Sequence, residues 1–355
     1  MKRITQAQIA REVGVNKATV SRALAGDPRI SAETAGRVRK LAARLGYRPD
    51  PSFAWIANVR WRGGTSHQHV TLAYVSQLRR PHAGNDVGYR LGTKKRAAEL
   101  GYGLETFFLD DYPDSAALQR ILIARGIRWL IVGPFYEPEP LLALDWTEFC
   151  AVSCGLSHFE PALHAVTYDP YEEILVAWRR VIDYGYYRPG LVIPQHPRPT
   201  QVDDDDRRWA ATALLFRAPG TPNGQVPPLF YSFTDPYENL AQHVMGWYRK
   251  WKPDVVISLN SLNMMNILQH TGKTRSPGQV GFAQFAAIGH KQNNLAGIKD
   301  AAEDVGRATV DLLQLTLRTN QWGMPRTRIR HYVAPEWIDG DTLPRRNTGN
   351  PPSQP

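Results

Sequence analysis

The residues best equipped for chemistry stand near the amino terminus: Asn16, Lys17, Ala18, Thr19, Ser21 and Arg22, inside the segment TQAQIAREVGVNKATVSRALA of residues 5–25. Their types suit recognition of a nucleic acid. Lys and Arg side chains donate to guanine edges in the major groove, and a methyl group such as that of Ala18 can touch thymine. Asn16, Thr19 and Ser21 suit phosphate oxygens, which set register without reading sequence. Val20, Ala23 and Leu24 repeat at helical spacing and turn inward, so Lys17, Ala18, Ser21 and Arg22 face outward near the start of a helix.

The elements that must hold this helix in place are legible on either side. Thr5 followed by Gln8 is a capping-box start. Ile9, Ala10 and Val13 then form one apolar face, and Gly14 supplies a residue that tolerates positive φ where the helix must turn. Asn16 caps the second helix. A third helix is predicted from the cap Ser31 through Ala35, Val38, Leu41, Ala42 and Leu45 to Gly46, closing a three-helix core. The charge follows this unit: residues 1–62 carry thirteen Lys+Arg against four Asp+Glu, a balance of +9, while the whole 355-residue chain is +10. Such localised basicity is the electrostatic footprint of DNA binding.

Residues 65–343 are long enough for a second, larger unit of two lobes. Short apolar runs alternate with amphipathic stretches. Strands are predicted at 70–76, 103–109, 129–135, 189–195, 227–233, 254–260, 279–285 and 326–335. Helices are predicted at 88–102, 117–126, 172–185, 206–216, 237–251, 261–271 and 301–319. This β-α-β order implies parallel strands joined by right-handed crossovers. Ligands of such sheets gather at the carboxyl ends of strands. The candidate cleft positions are therefore Gln77 to Asp86, Asp169, the Arg207 region, Phe233 to Tyr237, Asn260 to Asn263 and Phe282 to Phe285.

The run GVNKATVSRALAGDPRIS followed by LGYRP resembles the head of the LacI/GalR family of bacterial transcription regulators, continuously over about residues 3–49. The resemblance implies that Lys17, Ala18 and Arg22 read base edges, and that Thr5, Asn16, Thr19 and Ser21 hold phosphates. It makes residues 50–64, DPSFAWIANVRWRGG, a hinge that forms a short helix on operator DNA and pairs with its twin in a homodimer. The minor-groove wedge then falls on Ile56. Phe53, Trp55 and Trp61 depart from the small residues usual there. The implied fold is an all-α helix-turn-helix head on an α/β, two-lobed core with parallel sheets, like that of periplasmic sugar-binding proteins. Lobe 1 would take residues 65–168 and 299–325, and lobe 2 residues 169–298 and 326–343.

The same resemblance places a small-molecule effector, a carbohydrate, in the interlobe cleft, against Arg207, Phe233, Ser261, Asn260, Asp169 and Phe282. Arg208 is the fallback if the register slips by one. Several of these positions depart from the family. Asn260-Ser261 replaces an Asn-Asp pair, Gly281-Phe282-Ala283 replaces Gly-Phe-Asp, and Asn85-Asp86 stands where an aromatic pair is usual. A vestigial cleft that binds nothing is the alternative that these losses leave open.

Catalysis has no support in the motifs: G-x-S-x-G, H-E-x-x-H and G-x-x-x-x-G-K-[ST] are all absent. No cofactor is expected. Cys150 and Cys154 lack two further ligands for zinc, and Asp203 to Asp206 reads as a solvated loop, not a metal site. No run of eighteen apolar residues and no apolar leader occur, so a cytoplasmic, nucleoid-associated protein with no membrane partner is expected. Residues 344–355, PRRNTGNPPSQP, read as a disordered tail. Together these readings describe a repressor that binds a pseudo-palindromic site on double-stranded DNA.

Overall fold

Gly14 sits at φ +78°, and the amides of both Gly14 and Val15 donate to the Ala10 carbonyl at 3.0 Å, which closes the first helix and turns the chain toward the second. The computed structural model describes residues 6–24, 30–45, 70–77, 86–135, 142–155, 161–195, 203–216, 226–232, 234–270, 280–286 and 294–346. The chain divides into two units, Met1–Ser66 and His67–Pro355.

The first unit holds α1 (Gln6–Val13), α2 (Lys17–Leu24) and α3 (Ala32–Arg44). Ile9, Val20 and Val38 are wholly buried at the centre, with Val13, Ala23 and Leu41 around them. Each such aliphatic side chain contributes roughly 1.5–3 kcal/mol on burial. Caps complete the unit. Ser31 Oγ accepts from the Thr34 amide at the start of α3, and the Arg37 guanidinium donates to the Val13 carbonyl at 2.9 Å, covering the open end of α1.

The second unit contains two six-stranded sheets. The first runs β11-β5-β4-β3-β1-β2, from β1 (Thr71–Ser76), β2 (Gly103–Phe108), β3 (Trp129–Val132), β4 (Cys150–Cys154), β5 (His164–Tyr168) and β11 (Arg330–Val333). All its pairings are parallel. The second runs β12-β10-β9-β8-β6-β7, from β6 (Pro189–Gln195), β7 (Leu229–Ser232), β8 (Val255–Ser258), β9 (Gly281–Gln284), β10 (Gly297–Ile298) and β12 (Trp337–Ile338). Only β12 is antiparallel.

Alternation along each strand sorts the core by face. In the first sheet Leu72, Tyr74, Ile131 and Val152 pack toward α4 (Asp86–Glu99) and α10 (Ala302–Arg318). Ala73, Val75, Leu130 and Val132 pack toward α5 (Ser115–Ala124). In the second sheet Leu191, Ile193, Val255 and Ile257 meet α6 (Pro170–Asp183) and α7 (Asp203–Leu215). Val192, Val256 and Phe282 meet α8 (Tyr237–Trp251) and α9 (Ser261–His270).

The chain passes from one sheet to the other three times: between β5 and α6, between β10 and α10, and between β11 and β12. The last crossing corrects an expectation. The strand predicted at 326–335 was assigned to the second lobe, whereas β11 adds to the first sheet beside β5, because the His331 to Val333 register continues that parallel ladder. The second sheet takes β12 instead, a pairing of only two residues. Two further readings are corrected. Asp203 to Asp206 form the first turn of α7 and not a loop. Residues 344–346 are anchored: the Arg346 amide donates to the Tyr184 carbonyl at 2.9 Å, its guanidinium pairs with Asp254 at 3.0 Å and Tyr186 Oη donates to the Pro344 carbonyl. Residues 347–355 lie outside the description.

α4 and α10 touch backbone to backbone. A Cβ at Gly92 would collide with the Glu303 carbonyl, and one at Gly306 with the Tyr89 carbonyl. Ion pairs flank the contact: Lys95 with Glu303 at 2.7 Å, Arg96 with Asp311 at 2.8 Å and Arg307 with Glu99 at 2.8 Å. Gly92→Ala is expected to destabilise this unit by about 3 kcal/mol, the upper end of ordinary overpacking. Chemical denaturation checks this, and an unchanged midpoint would mean that the two helices can move apart freely.

Candidate nucleic-acid interface and effector site

In the head, Val20 and Ala23 are completely buried, Lys17 is exposed, and Ala18, Ser21 and Arg22 are half-buried on the outer side of α2. The outward set predicted from spacing thus shares one surface. Asn16 is the cap of α2. Its Oδ1 accepts from the Thr19 amide at 2.7 Å and from Thr19 Oγ1 at 3.0 Å. These bonds commit the Thr19 hydroxyl proton and one face of the Asn16 amide. Of this pair, the Asn16 Nδ2 group is what remains to donate to a phosphate, beside the amides that open α2. Thr5 and Ile56, with the whole hinge segment 50–64, lie outside the described residues.

The expected effector residues scatter by role. Asp169 caps α6, its Oδ1 accepting from the Tyr171 amide at 3.0 Å. Asn260 does the same for α9, accepting from the Asn263 amide at 3.0 Å. Both stand just past the carboxyl ends of β5 and β8, where a ligand of a parallel sheet would lie. Ser261 is fully buried and donates to Gln284 Oε1 at 3.4 Å, while Gln284 Nε2 donates to the Ala286 carbonyl at 2.9 Å. Phe282 is 0% exposed and packs with Val192, Val256 and Leu268. That corrects its expected place in the cleft: the alternation of β9 turns its ring into the core. Arg207 lies in the first turns of α7, its side chain outside the description, as is Phe233.

A polar group gathers at the carboxyl end of β1. Asp86, the first residue of α4, is buried, and accepts from Tyr74 Oη at 2.8 Å and Ser76 Oγ at 3.3 Å. Arg90, one turn later, places Nε 3.0 Å from Asp86 Oδ2. Burial pushes the Asp86 carboxyl above its ordinary range, against the opposing pull of the Tyr74 hydroxyl and the Arg90 charge. Asp86 was among the cleft positions, but Arg90 was not. The signal for it was the Asp-x-x-x-Arg spacing on a helix that directly follows a strand.

Cys150 and Cys154 are buried on β4 against Thr316 and Thr309. Burial raises both thiols, Cys150 to about 11, so neither is poised as a nucleophile. Among the described residues no cluster of His, Cys, Asp and Glu side chains gathers to hold a metal, and no helix is long and apolar enough to cross a membrane.

The chain thus carries a helix-turn-helix head and a unit of two α/β sheets. Residues 5–50 match the family described as bacterial regulatory proteins, lacI family. The chain is 35% identical over 103 residues to the HTH-type transcriptional regulator PtxS of Pseudomonas plecoglossicida, a match that spans 29% of this chain and 27% of that one. Two solved structures share the fold. The transcriptional regulator CelR in complex with cellobiose has TM-score 0.55 at 17% identity, covering 96% of this chain and all of that one. The lac repressor dimer bound to operator and the anti-inducer ONPF has TM-score 0.52 at 17% identity, covering 97% of this chain and all of that one.

Asn16→Ala is expected to cost about 1 kcal/mol of head stability through loss of the cap and to weaken DNA binding. Thermal unfolding followed by circular dichroism, beside binding to duplex DNA, checks both. A variant with unaltered unfolding would show that the cap bonds contribute nothing.

Proposed function

We propose that this chain is a sequence-specific transcriptional regulator, a repressor, which binds a pseudo-palindromic operator as a homodimer and answers to a small carbohydrate-class effector held between the lobes of residues 65–343. The observation that carries the reading is the surface of α2: Lys17, Ala18, Ser21 and Arg22 stand outward on a helix whose other side is locked into a core by Val20 and Ala23. A helix so held can enter a major groove as a rigid body, with Lys17 and Arg22 donating to base edges and Ala18 meeting a thymine methyl group. The Asn16 amide, Ser21 and Thr5 serve as phosphate contacts, and Thr19 supports that role by holding Asn16 in place. Residues 50–64 act as the hinge, with Ile56 as the wedge that opens a base step. The protein works in the cytoplasm, on the chromosome.

A dimer follows from economy of contact, since one short helix reads few base pairs and paired heads double the site. The operator-bound dimer of the lac repressor and the cellobiose complex of CelR support the same reading for this chain. Asp169 and Asn260, and Arg207 and Phe233 by position, are its effector contacts. A vestigial core is the competing reading, favoured by the burial of Phe282 and the absence of a carboxylate at Ser261.

Selection from random duplex DNA by the purified full chain tests the proposal. An enriched inverted repeat is expected; enrichment of a single unpaired half-site would count against the dimer, and no enrichment against sequence-specific binding altogether. On the selected site, Arg22→Ala is expected to lose about 1–3 kcal/mol of specific binding while keeping most salt-dependent, non-specific affinity. Equal loss on random DNA would reduce Arg22 to a phosphate anchor.

A further inference from the structure

The turn between α1 and α2 sets the direction in which the head presents its outward helix. Gly14, Val15 and Asn16 alone separate Val13, the last residue of α1, from Lys17, the first of α2. The Gly14 and Val15 amides both donate to the Ala10 carbonyl, so the chain leaves α1 at a left-handed glycine. Packing does not confine the glycine: a Cβ built there would meet no atom within 4 Å. Val15, half-buried against the head's core, is the apolar anchor of the turn.

The polar anchor comes from α3, 24 residues further along the chain. Arg37 Nη2 donates to the Val13 carbonyl at 2.9 Å. That carbonyl belongs to the last turn of α1, where no helical amide follows to take it, and the guanidinium charge suits the negative end of the helix. Val38, beside Arg37 in α3, is wholly buried, so the helix that carries the guanidinium is itself locked in the core. A second link between α1 and α3, Glu12 with Arg44, is 3.9 Å long and exposed on both sides, and contributes little.

The angle of α2 matters for one kind of DNA binding and not for the other. α2 has eight residues, a length of about 12 Å, so a tilt of about 10° would move its far end, where Arg22 stands, by about 2 Å. Hydrogen bonds to base edges do not survive such a displacement. Attraction to phosphates acts over about 10 Å at ordinary salt and would hardly change. We infer that Arg37 is a positioning residue for sequence reading: its bond to the Val13 carbonyl fixes the angle at which α2 presents Lys17, Ala18 and Arg22, and it touches no base itself. This rests on the reading of the head as a sequence-specific DNA-binding unit.

The full chain tests it on two duplexes of equal length, the site selected from random DNA and an unrelated sequence, each across a salt series. Arg37→Met keeps the stem and removes the donor, while Arg37→Lys keeps a donor and the charge. Circular dichroism supplies the folded fraction of each variant. Arg37→Met is expected to weaken the selected site about tenfold and the unrelated duplex less than about twofold, with the salt dependence unchanged. Arg37→Lys is expected to recover part of that ratio, since an ammonium can reach the same carbonyl. A bond that merely stabilises the head would weaken both duplexes by the same factor, so an unchanged ratio would overturn the inference. A lysine no better than methionine would do the same. A salt slope shallower by about one per head would make Arg37 a phosphate contact instead, and overturn it too. Where Arg37→Met is found unfolded, Arg37→Gln, whose shorter amide falls short of the carbonyl, takes its place and is read in the same way. If no site is selected at all, sequence-specific binding falls, and this inference with it.

Discussion

Everything in the larger unit depends on the contact between α4 and α10, in which Gly92 and Gly306 let two backbones meet with no side chain between them. Residues 302–318 are distant in the chain from 86–99, yet this crossing pins them to the first sheet. Once α10 is there, the chain must already have returned from the second sheet after β10, and must return again to supply β12. The exposed ion pairs at its flanks are each worth little alone, so orientation comes from the close approach itself, with the charges discouraging slippage. The same contact fixes the tilt of α4, and so decides where Asp86 and Arg90 stand relative to the ends of β1 and β2.

A comparable logic governs the head on a smaller scale. A unit of three short helices buries too little to waste polar groups, and it spends its capping side chains carefully. Asn16 and Ser31 close the starts of α2 and α3, and Arg37 covers the end of α1. The economy has a consequence for recognition. A side chain that caps a helix is less available to a phosphate, so Asn16 and Thr19 cannot both play the two roles in full, and the backbone amides opening α2 gain weight as anion donors.

The core's polar groups show a similar division. Asp169 and Asn260 serve as caps at strand ends. Losing the carboxylates that the family resemblance anticipates at 261 and 283 does not empty the site of chemistry.

How much of this was legible in the linear chain varies with the range of the interactions. The three head helices, the caps Asn16 and Ser31 and the outward set Lys17, Ala18, Ser21 and Arg22 follow from neighbours within four residues, where spacing, capping and turn chemistry act alone. The long amphipathic helices and the strands that separate them were equally plain, and with them the α/β class. β4, β5, β10 and β12 were not marked as strands, because they are two to five residues long and, where buried on both faces in a parallel sheet, lose the alternation that marks a strand. The sheet that receives β11, the burial of Phe282 and the anchoring of Arg346 depend on partners tens to hundreds of residues away. The sequence by itself determined a basic helix-turn-helix head on a two-lobed α/β core, since those are written in local periodicity and charge. Only the tertiary structure decided which polar groups at the strand ends remain to meet a ligand, because that depends on which of their hydrogen bonds the fold has already used.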